Sequence, residues 1–131
     1  MKINTKIRYG LRTLIEIASA NGAEGILQKD IAESQNISVK YLDSIILHLK
    51  IKGLIVNVQG KRSGYRLAKP ADQITMFDIY TAFERIEVVE CLNNIDCCPR
   101  KTNNCKANAF WADFKEDFSS LLKNKTLSEI M

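Results

Sequence analysis

The chain is short of the residues that usually announce catalysis or membrane insertion. It has one histidine, His48, and two prolines, Pro70 and Pro99, in 131 residues. Nothing in it resembles a Ser/His/Asp set, a glycine-rich phosphate loop or paired catalytic carboxylates, so an enzyme is not expected. No apolar run approaches the ~18 residues that a membrane span requires, and the opening "MKINTKIRYG" lacks the apolar centre of a secretory signal. No membrane partner is expected, and the expected compartment is the cytoplasm. Repeats and low-complexity tracts are also missing.

Cysteine is absent from almost all of the sequence and then abundant in one place. Cys91, Cys97, Cys98 and Cys105 all lie in "CLNNIDCCPRKTNNC", residues 91–105, whose asparagines and proline read as a loop. In a cytoplasmic protein such a cluster points to metal or redox work rather than to structural disulfides. The C-x-x-C pairing of zinc ribbons and thiol oxidoreductases is missing, which disfavours both. Thiolates suit iron, zinc and iron–sulfur groups because they are soft and anionic. Arg100, Lys101 and Lys106 lie beside the thiols and are expected to favour the thiolate. Three readings stay open on the residues alone: an iron–sulfur site, a thiol or nitric oxide sensor, and a zinc or vestigial loop.

Charge is unevenly distributed. Residues 1–70 carry twelve Lys and Arg against five Asp and Glu, whereas residues 71–131 carry seven against ten. The net of +7 on the first part and −3 on the second suggests an anionic partner, most commonly nucleic acid, for the first part only.

The pattern of apolar residues is mainly helical. Ile7, Leu11, Leu14, Ile15 and Ala18 mark one face of a first helix, with Asn21 and Gly22 as its end. A short helical segment over 28–34 buries Ile31 and Ala32. "QNI" then breaks the chain, and Ser38 is a good N-cap for a second helix bearing Val39, Leu42, Ile45, Ile46 and Leu49 inward and stopping at Gly53. Two helices joined by so short a turn form a helix-turn-helix unit. "LIVNVQ" (54–59), "GKRSG" (60–64) and "YRLA" (65–68) follow as a hairpin with a basic tip. That order is a winged helix. Beyond Pro70, "TMFD" (75–78) has the form of a capping box and opens a helix of about a dozen residues presenting Phe77, Tyr80, Phe83 and Ile86 or Glu87. After the cysteine loop, residues 106–125 repeat Phe110, Trp111, Phe114, Phe118, Leu121 and Leu122 at helical spacing. These are more large side chains than one protomer readily covers, so a dimerisation helix is expected. The last few residues are expected to fray.

The expected fold is therefore mainly α with a small β wing. A winged helix-turn-helix DNA-binding domain spans residues 1–70, and a cysteine-loop and dimerisation region spans 71–131. Ser38, Lys40, Tyr41 and Ser44 lie on the outer face of the second helix, where they can reach base edges and phosphates in a major groove. Lys61 and Arg62 at the wing tip can reach a minor groove or backbone. Lys6, Arg8 and Tyr9 can add phosphate contacts. His48, late on the recognition helix, reads as a surface or DNA-contact residue in preference to a metal ligand.

The chain resembles the Rrf family of bacterial winged-helix regulators, the relatives of IscR, NsrR and CymR. The resemblance rests on "MKINTKIRYGLRTLIEIA", on "DIAESQNISVKYLDSIILHLKIKGLIVNVQGKRSGYRLAKP", and on the cysteine loop with its Trp-bearing helix. It implies a dimeric transcription factor reading a pseudo-palindromic operator in double-stranded DNA. It also implies that Cys91, Cys97 and Cys105 hold an iron–sulfur cluster of two-iron or four-iron form. Cys98 is additional to that pattern and is a possible substitute ligand. The family's fourth-ligand positions carry Asn108, where IscR-like members have histidine, and Arg8, where NsrR-like members have aspartate. The alternative to a cluster is a cluster-free regulator controlled by thiol oxidation or by a partner protein.

Overall fold

A computed structural model describes residues 2–20, 24–59, 64–94, 97–99 and 105–131. Its elements are α1 (Thr5–Ser19), α2 (Gln28–Gln35), α3 (Val39–Ile51), β1 (Ile55–Asn57), β2 (Tyr65–Leu67), α4 (Met76–Phe83), α5 (Lys106–Lys123) and α6 (Leu127–Ile130). A short 3₁₀ turn at Ala71–Gln73 precedes α4, and another at Glu90–Leu92 opens the cysteine loop.

Local chemistry sets most boundaries. Asn4 caps α1 by accepting the Ile7 N–H at 2.8 Å. Asn36 ends α2 in the left-handed region, with φ 53°, and lets the Ile37 N–H return to the Ala32 carbonyl at 3.0 Å. Two residues later Ser38 caps α3, accepting the Tyr41 N–H at 3.1 Å. Gly53, with φ 81°, closes α3 as expected. The expected end of α1 at Asn21 and Gly22 falls outside the described residues.

β1 and β2 pair antiparallel with Val56 opposite Arg66. Ile26 adds a bridge to Tyr65 on the other side, so the segment entering α2 is stitched to the wing. Gly25 and Gly64 permit this close approach. A Cβ on Gly64 would lie 2.7 Å from the Glu24 carbonyl oxygen, and one on Gly25 would lie 2.5 Å from that of Tyr65.

The main core joins α1, α2 and α3 through Leu14, Ile17, Ile31, Leu42, Ile45 and Leu49. Ile74, Ile79 and Leu127 belong to the same cluster. A second cluster, Ile7, Tyr80 and Ile86, packs with Phe77, Phe118 and Leu122 where α4 meets α5. Among the described residues no helix is long and apolar enough to cross a membrane.

Three expectations need correction. Val39 keeps the apolar spacing of α3 but lies in its first turn, beyond the edge of the core, and is 54% exposed. α4 has eight residues, not about a dozen, because Glu84 turns extended and its N–H returns to the Tyr80 carbonyl. Ile86 is buried, but from the segment after the helix. The C-terminus does not fray: Leu127 is fully buried, its N–H donates to the Ile74 carbonyl at 2.7 Å, and Thr126 caps a last helical turn.

Candidate nucleic-acid interface and cysteine loop

Five of the expected contact residues come together. Lys6 from α1 joins Ser38, Lys40, Tyr41 and Ser44 around one concavity at the start of α3. Two cations, two hydroxyls and a phenol gathered around a helix N-terminus suit phosphate oxygens and base edges. Tyr9 stands behind them. It is half-buried, and its ring meets that of Tyr41 edge to face at 5.7 Å. The Arg12 guanidinium covers the Tyr9 ring at 4.8 Å while its Nε donates to Gln35 Oε1 at 2.9 Å. Tyr9 thus braces Tyr41, and Arg12 locks α1 to the end of α2. The Arg12–Gln35 clamp joins residues far apart in sequence, so no local pattern announces it.

Arg8 is exposed, lies outside that concavity and donates to Thr5 Oγ1 at 3.0 Å. Lys61 and Arg62 fall outside the described residues. The base of the wing is held by the β1–β2 pairing and by the Val58 N–H donating to the Gly64 carbonyl at 2.8 Å.

His48 packs against a neighbouring helix rather than standing free on the surface. It is half-buried, its Nδ1–H donates to the Ser44 carbonyl at 2.7 Å, and its ring stacks on Phe83 of α4 at 5.4 Å. Gly10 makes room for the same ring, since a Cβ there would lie 2.4 Å from Phe83 Cε2. α1, α3 and α4 therefore meet at Phe83.

The cysteine loop is anchored at both ends. Cys91 sits in the Glu90–Leu92 turn, and Cys105 is the N-cap residue of α5. Asn108, one turn into α5, donates from Nδ2 to Cys91 Sγ at 3.3 Å and reaches the Cys91 carbonyl at 3.5 Å. Cys97 is exposed; Cys91, Cys98 and Cys105 are half-buried. Arg100 and Lys101, expected to favour the thiolate, lie outside the described residues. Local loss of hydration, then the Glu90 carboxylate and the Cys91 and Cys98 thiols, push the pKa of Cys97 up.

The donor chemistry suits an iron–sulfur group, since soft sulfur ligands flank one short loop. Among the described residues no three His, Cys, Asp or Glu side chains are grouped so as to hold a metal ion.

A helix-turn-helix with a stitched hairpin, presenting cations and hydroxyls at the start of its second helix, defines a winged-helix DNA-binding transcription regulator. The chain belongs to the Rrf2 family, described as iron-dependent transcriptional regulators, whose profile matches residues 3–131. It is 37% identical to protein Rrf2 of Nitratidesulfovibrio vulgaris, across all of this chain and 87% of that one. Among solved structures it is similar to T. potens IscR, with a TM-score of 0.79 and 26% identity over 99% of this chain and 85% of that one. It is likewise similar to the oxidized form of Staphylococcus aureus CymR, with a TM-score of 0.72 and 34% identity over 97% and 93% of the two chains. These relatives are regulators, not enzymes.

Proposed function

We propose that the protein is a homodimeric regulator that reads a pseudo-palindromic duplex and takes its signal at the cysteine loop, through an iron–sulfur cluster held by Cys91, Cys97 and Cys105. The contact between Asn108 and Cys91 carries this reading. It ties the first thiol of the loop to the first turn of α5, so a change in the state of Cys91 acts on that helix directly. The family description, iron-dependent, supports a metal signal.

An iron–sulfur group, when bound, supplies a centre that responds to oxidants, nitric oxide and iron supply. The chain's own residues do the rest. Cys91, Cys97 and Cys105 would hold such a group, and Asn108 at the start of α5 would then contact one of its ligands, Cys91. α5 rests on α4 through Phe118 against Tyr80, with ring centroids 5.8 Å apart. α4 in turn touches the recognition helix through Phe83 and His48. A shift at the loop thus reaches α3 by packed contacts, and the protein grips DNA with Lys6, Ser38, Lys40, Tyr41 and Ser44, Lys61 and Arg62 on the wing, and Arg8 on α1. Tyr9 supports Tyr41 in that grip.

The loop as it stands also favours a second reading, control by oxidation of the thiols. Cys97 is exposed, has Cys98 beside it, and the described residues form no ready metal site. Anaerobic purification with a visible spectrum and iron, sulfide and zinc assays separates the two. Iron and sulfide near stoichiometry with charge-transfer bands support the cluster. Colourless, metal-free protein that still binds DNA leaves the thiols as the sensor.

A further inference from the structure

Away from the recognition face and the cysteines, α4 and α5 enclose a cleft of about 370 Å³. The two helices run antiparallel. The Met76 N–H at the start of α4 donates to the Lys125 carbonyl just past α5 at 2.8 Å, while Cys91, beyond α4, meets Asn108 at the start of α5. Each side contributes residues four apart. Phe77 and Thr81 come from α4, with Arg85 from the segment just after it, and they face Lys115, Ser119 and Lys123 of α5. The antiparallel order gives the cleft two unlike ends. At one, the Lys123 ammonium lies 4.6 Å from the centre of the Phe77 ring. Arg85 and Lys115 share the other. Between them the small side chains of Thr81 and Ser119 leave the notch open, with the buried Ile86 as part of its floor.

The charge is unusual for its place. Arg85, Lys115 and Lys123 line the cleft, no carboxylate does, and none of the three is in an ion pair among the described residues. Yet residues 71–131 are net acidic, with only seven Lys and Arg in all. Like charges gathered beside an apolar floor are complementary to an anion with an apolar body. The volume lies within the range of small-molecule sites, roughly 300–1,000 Å³.

We propose that this cleft binds a small organic anion, an apolar body carrying one carboxylate, with Arg85 and Lys115 on the carboxylate and Phe77 and Ile86 against the body. The guanidinium fork of Arg85 matches a carboxylate in two-point geometry, and Lys115 adds a point charge. Such a ligand would touch α4, which packs on the recognition helix, and α5, which starts at the cysteine loop. The site does not depend on whether that loop holds a cluster.

The test uses the full chain with 4-phenylbutyrate as probe and its neutral amide as control, followed by backbone amide NMR shifts at Thr81 and Ser119. The acid is expected to bind saturably, and the amide at least about tenfold more weakly, as loss of a charge-assisted pair implies. Arg85→Gln with Lys115→Gln is expected to weaken the acid by about the same factor, while Lys61→Gln with Arg62→Gln leaves it unchanged. Ser119→Trp, which fills the notch and keeps every cation, is expected to abolish binding. Thermal unfolding of each variant checks the fold. Absence of saturable binding, equal binding of acid and amide, or an unaffected Arg85/Lys115 variant overturns the proposal. So does a change in that variant's mass by light scattering, which would assign the cations to a contact between copies.

Discussion

Cys97 and Leu127 show how much single side chains decide in a chain this small. The thiol of Cys97 titrates above the usual cysteine range, with local loss of hydration and then Glu90, Cys91 and Cys98 as the causes. A raised pKa leaves less thiolate at neutral pH, so alkylation at this position is expected to be slow there and to climb as the solution becomes more alkaline. Glu90→Gln removes one negative neighbour and lowers the pKa, which speeds the reaction at pH 8. Residue-resolved mass spectrometry of iodoacetamide labelling checks both, and an unchanged rate in the Glu90 variant would show that its carboxylate does not reach the thiol. Leu127 is a matter of packing. It fills the junction of Ile74 and Ile79 with the main core, so Leu127→Ala is expected to cost about 2–5 kcal/mol in urea unfolding. Its burial was not legible in the sequence. A lone leucine near a chain end carries no periodicity, and only the tertiary pairing of Thr126 with Thr75 reveals its place. The packing of His48 was not legible for a similar reason, since its partner Phe83 lies on another helix.

Elements fared better, because their signals are local. Ser38, Gly53 and the Thr75–Asp78 capping box act within three or four residues of themselves, and each stands where its sequence context puts it. The length of α4 does not, since the extended turn at Glu84 follows from packing rather than propensity. α5 is the element with the most unfinished business. In one protomer it has no buried residue, and Phe110, Trp111, Phe114 and Leu121 are exposed, with Trp111 edge to face against both phenylalanines. A second copy is the proposed cover for this stripe. Phe110→Glu with Trp111→Glu is expected to convert a dimer to a monomer by light scattering while leaving the far-ultraviolet helical signal unchanged. A wild-type chain that is monomeric at tens of micromolar would remove the dimer from the reading.

At the scale of the whole molecule, the basic first part and the acidic second part share one core, so a disturbance at the loop has packed contacts by which to reach the recognition face. The grouping of side chains there was largely legible: Ser38, Lys40, Tyr41 and Ser44 follow from placing α3, and Lys6 joins them in the structure. What was not legible is the bracing behind it, the Arg12 clamp on Gln35 and the Tyr9–Tyr41 ring contact, because each joins helices rather than neighbours in sequence. The central claim is that this face reads DNA as a symmetric pair. The most direct measurement is selection of bound duplexes from a random pool under anaerobic reducing conditions, repeated with Lys40→Ala and Tyr41→Ala together. Enrichment of an inverted repeat by the wild-type protein, with affinity that falls steeply with salt and is lost in the variant, is the predicted result. An unenriched pool, or a selected duplex that the variant binds as tightly, would contradict it.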